Sequence, residues 1–230
     1  MLEQLVTLDE IAQDRTPADF VVWFDEVLER TRLDDPALRR QILLRQGLAK
    51  PVYEEVFPLY RLLAVKQAAW SGRRFRNVLG NQPYDVSVTP AVAGAFSFLE
   101  ITTADNDQAE AVRMEVFEEK GTVSAISPVT WTGTKRTGRT VEISEDMQLH
   151  SDTVKRKRDQ LVAAIERKSS RDYPAGTALL VYFDDYVAFA DPDDQPVMAE
   201  VLAVTRDVWR RKFCALYIIG ASGRRLWEQE

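Results

Sequence analysis

Apolar side chains recur every three or four residues through the first third of the chain. Phe20, Trp23, Phe24, Val27 and Leu28 share one face, and Thr16-Pro17 with Asp19 supplies a helix start. A second helix is predicted from Asp35-Pro36. Lys50-Pro51 interrupts the pattern. A third helix then follows, with Val52, Val56, Leu59 and Leu63 on one face, a kink at Pro58 and an end at Gly72. From Arg74 the period shortens to two, which predicts strands at Phe75 to Leu79, Tyr84 to Thr89 and Phe96 to Thr103, joined as a meander. An amphipathic helix begins at Asp105 or Asp107 and stops at Gly121, and β-rich segments follow at Val123 to Trp131 and Arg139 to Ser144. A helix from Asp152 to Ser170 leads through Pro174 and Gly176 into the apolar strand Ala178 to Phe183. A last helix, Pro196 to Arg211, feeds the strand Phe213 to Ile219. Helices first and then mixed helices and strands predict an α/β or α+β class. A helical N-terminal extension covers residues 1–48 and the α/β domain covers 49–230.

Charge and composition narrow the chemistry. With 30 Lys and Arg against 36 Asp and Glu, the formal charge of −6 excludes holding nucleic acid by bulk positive charge. One cysteine and one histidine among 230 residues exclude a disulfide scaffold and a Cys/His zinc cluster, so any metal must be held by carboxylates. No apolar run approaches the roughly 18 to 20 residues that span a bilayer, and the acidic first residues differ from a targeting peptide; the expectation is a cytoplasmic protein with no membrane partner. Cys214 reads as a small buried side chain, and His150 as either a general base or a structural residue. Asp191-Pro192-Asp193-Asp194 reads as a turn and helix start.

The informative constellation is a pair of strands, Tyr84-Asp85-Val86-Ser87-Val88 and Phe96-Ser97-Phe98-Leu99-Glu100-Ile101-Thr102. If they form a hairpin centred on Ala91 to Gly94, paired positions sum to about 185 and Asp85 falls opposite Glu100. Opposed like charges repel, and a hard divalent ion such as Mg²⁺, which takes oxygen ligands, would relieve them. A one-residue slip would instead send the two carboxylates to opposite faces, leaving two solvated acids.

Pro83-Tyr84-Asp85 followed by Glu100-Ile101-Thr102, after a helix carrying Glu54-Glu55 and before a basic helix and an apolar strand, resembles the PD-(D/E)XK nuclease superfamily over roughly residues 50 to 185. The resemblance implies a restriction-endonuclease-like mixed sheet flanked by helices and a metal-dependent nuclease. Asp85, Glu100 and the Ile101 carbonyl would then hold Mg²⁺ or Mn²⁺, with Glu55 on the preceding helix joining the site. The superfamily expects a lysine two residues after the glutamate; here that position is Thr102, which carries no charge. Lys168 continues the Val154, Leu161, Ile165 stripe and is the candidate replacement, and Arg113 is a weaker one. Lys168 also fits a lysine at a helix C-terminus, where the macrodipole favours cations. The loss of the strand lysine leaves a second reading open, a catalytically degenerate nuclease fold that binds nucleic acid or protein.

Two basic stretches suit phosphate contacts: Lys135, Arg136 and Arg139 in a predicted hairpin loop, and Lys155, Arg156, Lys157 and Arg158 near a helix start. Four cations opening a helix conflict with its positive end, which an anionic partner or plain solvation would relieve. No base-reading motif accompanies them, so nucleic acid, DNA or RNA, would be held through its backbone. A homodimer is left open.

Overall fold

The computed structural model describes residues 2–32, 35–89, 95–105, 107–124, 127, 129–134, 138–144, 149–186, 188–189 and 194–230. The expected turn from Ala91 to Gly94, the cations Lys135 and Arg136, and Asp191 to Asp193 lie outside them.

The chain opens with a 3₁₀ turn (Leu2–Gln4) and a short helix α1 (Leu8–Ile11), which the sequence pattern left unassigned. Thr7 and Glu10 cap α1 reciprocally, satisfying N–H groups that a helix start leaves unpaired. Helix α2 (Pro17–Thr31) starts at Thr16 and α3 (Pro36–Leu43) at Asp35, as the Thr-Pro and Asp-Pro signals require. Next come α4 (Ala49–Pro51), a π-helical turn (Val52–Val56) and α5 (Phe57–Lys66). Pro58 has no N–H to offer the Glu54 carbonyl. In the turn just before it, the Phe57 N–H reaches back five residues to the Val52 carbonyl. The expected kink thus takes the form of a widened turn, and the helix ends at Lys66 rather than Gly72.

Strands β1 (Arg74–Asn77), β2 (Val86–Thr89) and β3 (Phe98–Thr103) form the antiparallel meander. Helix α6 (Asp107–Lys120) and the separate hairpin β4 (Val129–Thr134) with β5 (Gly138–Ile143) lead to the long helix α7 (His150–Ser169). Then follow β6 (Thr177–Phe183), α8 (Gln195–Trp209), β7 (Leu216–Gly220) and β8 (Leu226–Gln229). The main sheet is mixed, in the order β1-β2-β3-β6-β7-β8: β3, β6 and β7 are parallel and the outer pairings antiparallel. Strand β8 was not expected, because four residues of alternation after a Ser-Gly turn are too short a signal.

Alternation along the strands divides the core between two layers. Leu99, Ile101, Ala178, Leu180, Tyr217 and Ile219 face the N-terminal helices and α5, where Phe20, Trp23, Phe24, Leu59 and Leu62 pack. Leu179, Val181, Phe183, Leu216 and Ile218 face α7 and α8, against Leu161, Ile165, Met198, Val201 and Trp209. The described residues of the N-terminal segment, from Leu2 to Leu48, therefore share their core with the sheet. Cys214 corrects the sequence reading: it is exposed, because its neighbours Phe213 and Ala215 take the two inward positions. Among the described residues no helix is long and apolar enough to cross a membrane.

Candidate active site

The register of β2 against β3 decides whether the two motif acids meet. Val86 pairs with Leu99 and Ser87 with Phe98. One step outward, the same register sets Asp85 against Glu100. Alternation places both side chains on the face opposite Val86, Leu99 and Ile101, toward α7. Asp85 is held on three sides: its N–H donates to the Leu99 carbonyl at 3.0 Å, its carbonyl accepts from Val78 at 2.8 Å, and its Oδ2 accepts from the Ile101 N–H at 2.7 Å. Because N–H and C=O of one strand residue point to the same edge, the Ile101 carbonyl is directed to the side of β3 on which Asp85 lies.

Glu100 is 5% exposed, in the middle of β3. Lys168, in the last turn of α7, reaches across the layer and its Nζ pairs with Glu100 Oε1. Glu55, from the π-helical turn, lies close enough to both to feel their charges. Burial, then the charges of Glu100 and Glu55, push the Asp85 carboxyl up to about 7, against the opposing pull of Ile101 and Lys168. Burial, then Glu54 and Glu100, push Glu55 up as well. The structure thus brings Asp85, Glu100, Glu55 and Lys168 together, with more carboxylates than the one ammonium among them neutralises.

The Asp85 shift has a measurable consequence. Metal-free protein keeps this carboxyl protonated at pH values where the unfolded chain, with a carboxyl near about 3.9, has ionised it. The native state then binds more protons, so stability is expected to fall as pH rises from about 4 through about 7, by a few kcal/mol in order of magnitude. Urea melts in EDTA across that window should show the fall in wild type and lose most of it in Asp85→Asn. A profile that is the same in both would show that Asp85 titrates normally.

Among the described residues no three of His, Cys, Asp and Glu stand ready as a metal cluster. The donor set nonetheless suits a hard cation. Mg²⁺ usually takes one or two carboxylates and keeps several waters, and Asp85, Glu100 and the Ile101 carbonyl are all oxygen donors. A divalent ion would relieve the repulsion from Glu100 and Glu55 that adds to burial in raising Asp85.

Two further residues at the site were missed in the sequence. Tyr173, in the turn between α7 and β6, packs at a tilt against Phe213 with ring centroids 4.7 Å apart and has its hydroxyl sealed from solvent. Burial and the charge of Glu100 push its phenol up. Arg167 donates to the Thr102 hydroxyl at 3.0 Å. Tyr173 stands in a turn without periodicity, and Arg167 lies off the apolar stripe that singled out its neighbour.

The remaining candidates scatter. Lys157 departs from its expected place on an outer face: it is buried, and its Nζ pairs with Asp105, whose Oδ2 also accepts from the Asp184 N–H at 3.1 Å. Val154, seven residues before Leu161, lies on the same side of the helix, and Lys157 falls between them on the inner face. Arg158 is taken by Glu200 and Asp159, each at 2.6 Å, and Arg139 by Glu115 at 3.1 Å. Arg113 is held by Glu110 at 2.5 Å and by the Ser124 and Ser127 carbonyls, so it is not the cation of the carboxylate site. Lys155 and Arg156 line a groove of about 490 Å³ with Asp152, Asp159, Gln160 and Ala163. Burial and the nearby Arg113 pull the Arg156 guanidinium down. His150 lies apart, with its Nε2 3.1 Å from Asp194.

Comparison with family models, curated proteins and solved structures finds no match to this chain, so the resemblance rests on its own residues and their geometry.

Proposed function

We propose that this chain is a metal-dependent phosphodiester hydrolase acting on nucleic acid, with a restriction-endonuclease-like site of the PD-(D/E)XK type. The observation that carries the reading is the meeting of Lys168 with Glu100 beside Asp85: a helix supplies the cation that Thr102 cannot. The antiparallel meander β1-β2-β3, followed by a helix into parallel β6, supports it further. Asp85, Glu100 and the Ile101 carbonyl would hold Mg²⁺ or Mn²⁺, with Glu55 adding negative charge. When bound, such an ion polarises a phosphate and lowers the pKa of water.

The protein's own groups do the rest. Asp85 must give up its proton before it can serve as a ligand, so metal affinity rises as pH passes about 7. Lys168 keeps a positive charge at the carboxylates, where it can offset the negative charge that builds on an attacked phosphate. Lys155 and Arg156 contact backbone phosphates away from the cleavage point.

A second reading draws on the same ion pair. Lys168 already neutralises Glu100 without a metal, as a binding module that had lost catalysis would require. Thermal melts and cleavage assays separate the two. Saturating Mn²⁺, at about a hundredfold over Kd, is expected to add about 2.7 kcal/mol and raise the melting temperature of wild type by about 5–10 °C, but not that of Asp85→Asn. The same metal should switch on cleavage of DNA or RNA. No melting shift and no cleavage of any single- or double-stranded form would leave the binding module standing.

A further inference from the structure

Thr102 occupies the strand position where the motif expects a lysine, and the structure shows what the threonine does instead. Its Oγ1 accepts a hydrogen bond from Arg167 Nη2 at 3.0 Å, and the same nitrogen lies 3.5 Å from the Thr103 carbonyl. Thr102 is 6% exposed, whereas Arg167 is an exposed residue. The guanidinium therefore reaches in from the surface and rests on the sheet at the place a strand lysine would fill. Consecutive residues in the last turn of α7 thus send two cations to β3: Lys168 to Glu100 and Arg167 to Thr102. Alternation keeps Glu100 and Thr102 on one face, about 7 Å apart along the strand.

The two cations differ in how they are satisfied. Lys168 is paired with a buried carboxylate. Arg167 is held by a neutral hydroxyl and a carbonyl, and among the described residues no carboxylate forms an ion pair with it. Its charge is undiminished and most of its five N–H donors remain for a partner. Arginine presents these donors as a planar fork matching two phosphate oxygens, and it stays protonated, so it serves as a clamp rather than a proton carrier. We propose that Arg167 binds a backbone phosphate of the nucleic acid next to the carboxylate site, and that Thr102 is the positioning residue that aims it. The inference rests on the nucleic-acid part of the function proposed above and is independent of its metal.

The test is a double-mutant cycle on binding in EDTA, so that metal plays no part. Fluorescent single-stranded and duplex oligonucleotides of DNA and RNA are titrated at several salt concentrations. Arg167→Ala is expected to weaken binding about tenfold and to reduce the salt slope by about one phosphate contact. Thr102→Val should act in the same direction, Thr102→Ser should restore wild-type binding, and the double variant should bind no worse than Arg167→Ala alone. An Arg167 that merely complements the helix end would lower the melting temperature and leave the salt slope unchanged; that result overturns the proposal. So would full additivity of the two single changes, or a wild type that binds none of the oligonucleotides. A wild type that binds with the expected cycle yet neither responds to Mn²⁺ nor cleaves would sink the metal hydrolase and leave the Arg167 clamp intact.

Discussion

Lys168→Ala is expected to slow cleavage at least about a hundredfold and to destabilise the metal-free protein by about 3–5 kcal/mol. The second figure follows from burial. The Lys168 and Glu100 side chains are 15% and 7% exposed, and removing the ammonium leaves the carboxylate in low dielectric beside Asp85 and Glu55. Removing one partner of a buried pair costs far more than removing both, so adding Glu100→Gln to Lys168→Ala should recover most of the stability while activity stays absent. Loss of Lys168 also removes a charge that lowers the Asp85 carboxyl, and the Asp85 transition should move to still higher pH. Mn²⁺ should stabilise Lys168→Ala more than it stabilises wild type, since the ion then carries the whole task of neutralisation. Chemical denaturation with and without metal across the pH range measures the stabilities and the Asp85 transition, and a cleavage assay measures the rate. A Lys168→Ala protein as stable as wild type would mean that Glu100 is paired elsewhere.

The second large effect lies at the far end of the parallel strands. Gly220, the last residue of β7, faces Asp185, and a Cβ added there would stand 2.2 Å from Asp185 Oδ2 and 2.3 Å from its Cγ. Asp185 cannot retreat cheaply. It is 3% exposed, and its two oxygens accept from the Ser222 N–H at 2.8 Å and the Ser222 hydroxyl at 2.6 Å. Gly220→Ala must either break these bonds around a buried carboxylate or push β7 off its neighbours. We expect a loss of about 3 kcal/mol or more, or about 6–12 °C in melting temperature. Gly72→Ala, where nothing lies within 4 Å of the added carbon, is the control and should be nearly neutral. A Gly220→Ala protein that melts with wild type would show that the turn after β7 yields without cost.

How far the site was legible follows from the kind of signal each residue leaves. The facing of Asp85 and Glu100 was readable from the hairpin arithmetic, in which paired positions sum to about 185, and the pairs Val86 with Leu99 and Ser87 with Phe98 keep that sum; burial alone would not have fixed it, because β3 is buried on both faces. Lys168 was readable because it prolongs an apolar stripe. Lys157 obeys the same spacing logic, yet its place in a run of four cations masked it. Its partner Asp105 lies 52 residues away and leaves no local trace. The role of Thr102 was invisible for a related reason: a missing lysine is apparent in the sequence, but a hydroxyl that recruits an arginine from another element shows only once the layers are packed. The π-helical turn is intermediate. Pro58 announces a disturbance, while the way in which the backbone absorbs it depends on packing against β3.

Helix α7 spans the distance between the groove at Lys155 and Arg156 and the pair Arg167 and Lys168. Twelve residues separate Arg156 from Lys168, about 18 Å at 1.5 Å per residue. The buried pair of Lys157 with Asp105 anchors one end of this span to the segment just after β3, and the pair of Lys168 with Glu100 anchors the other to β3 itself. The helix is thereby a fixed ruler laid beside the strand. Under the proposed function, one strand of a duplex lying along it, at about 3.4 Å of axis per phosphate, touches both ends only if it is at least about six nucleotides long. The shortest strand that binds well would then be set by where α7 is pinned, independently of any contact with a base.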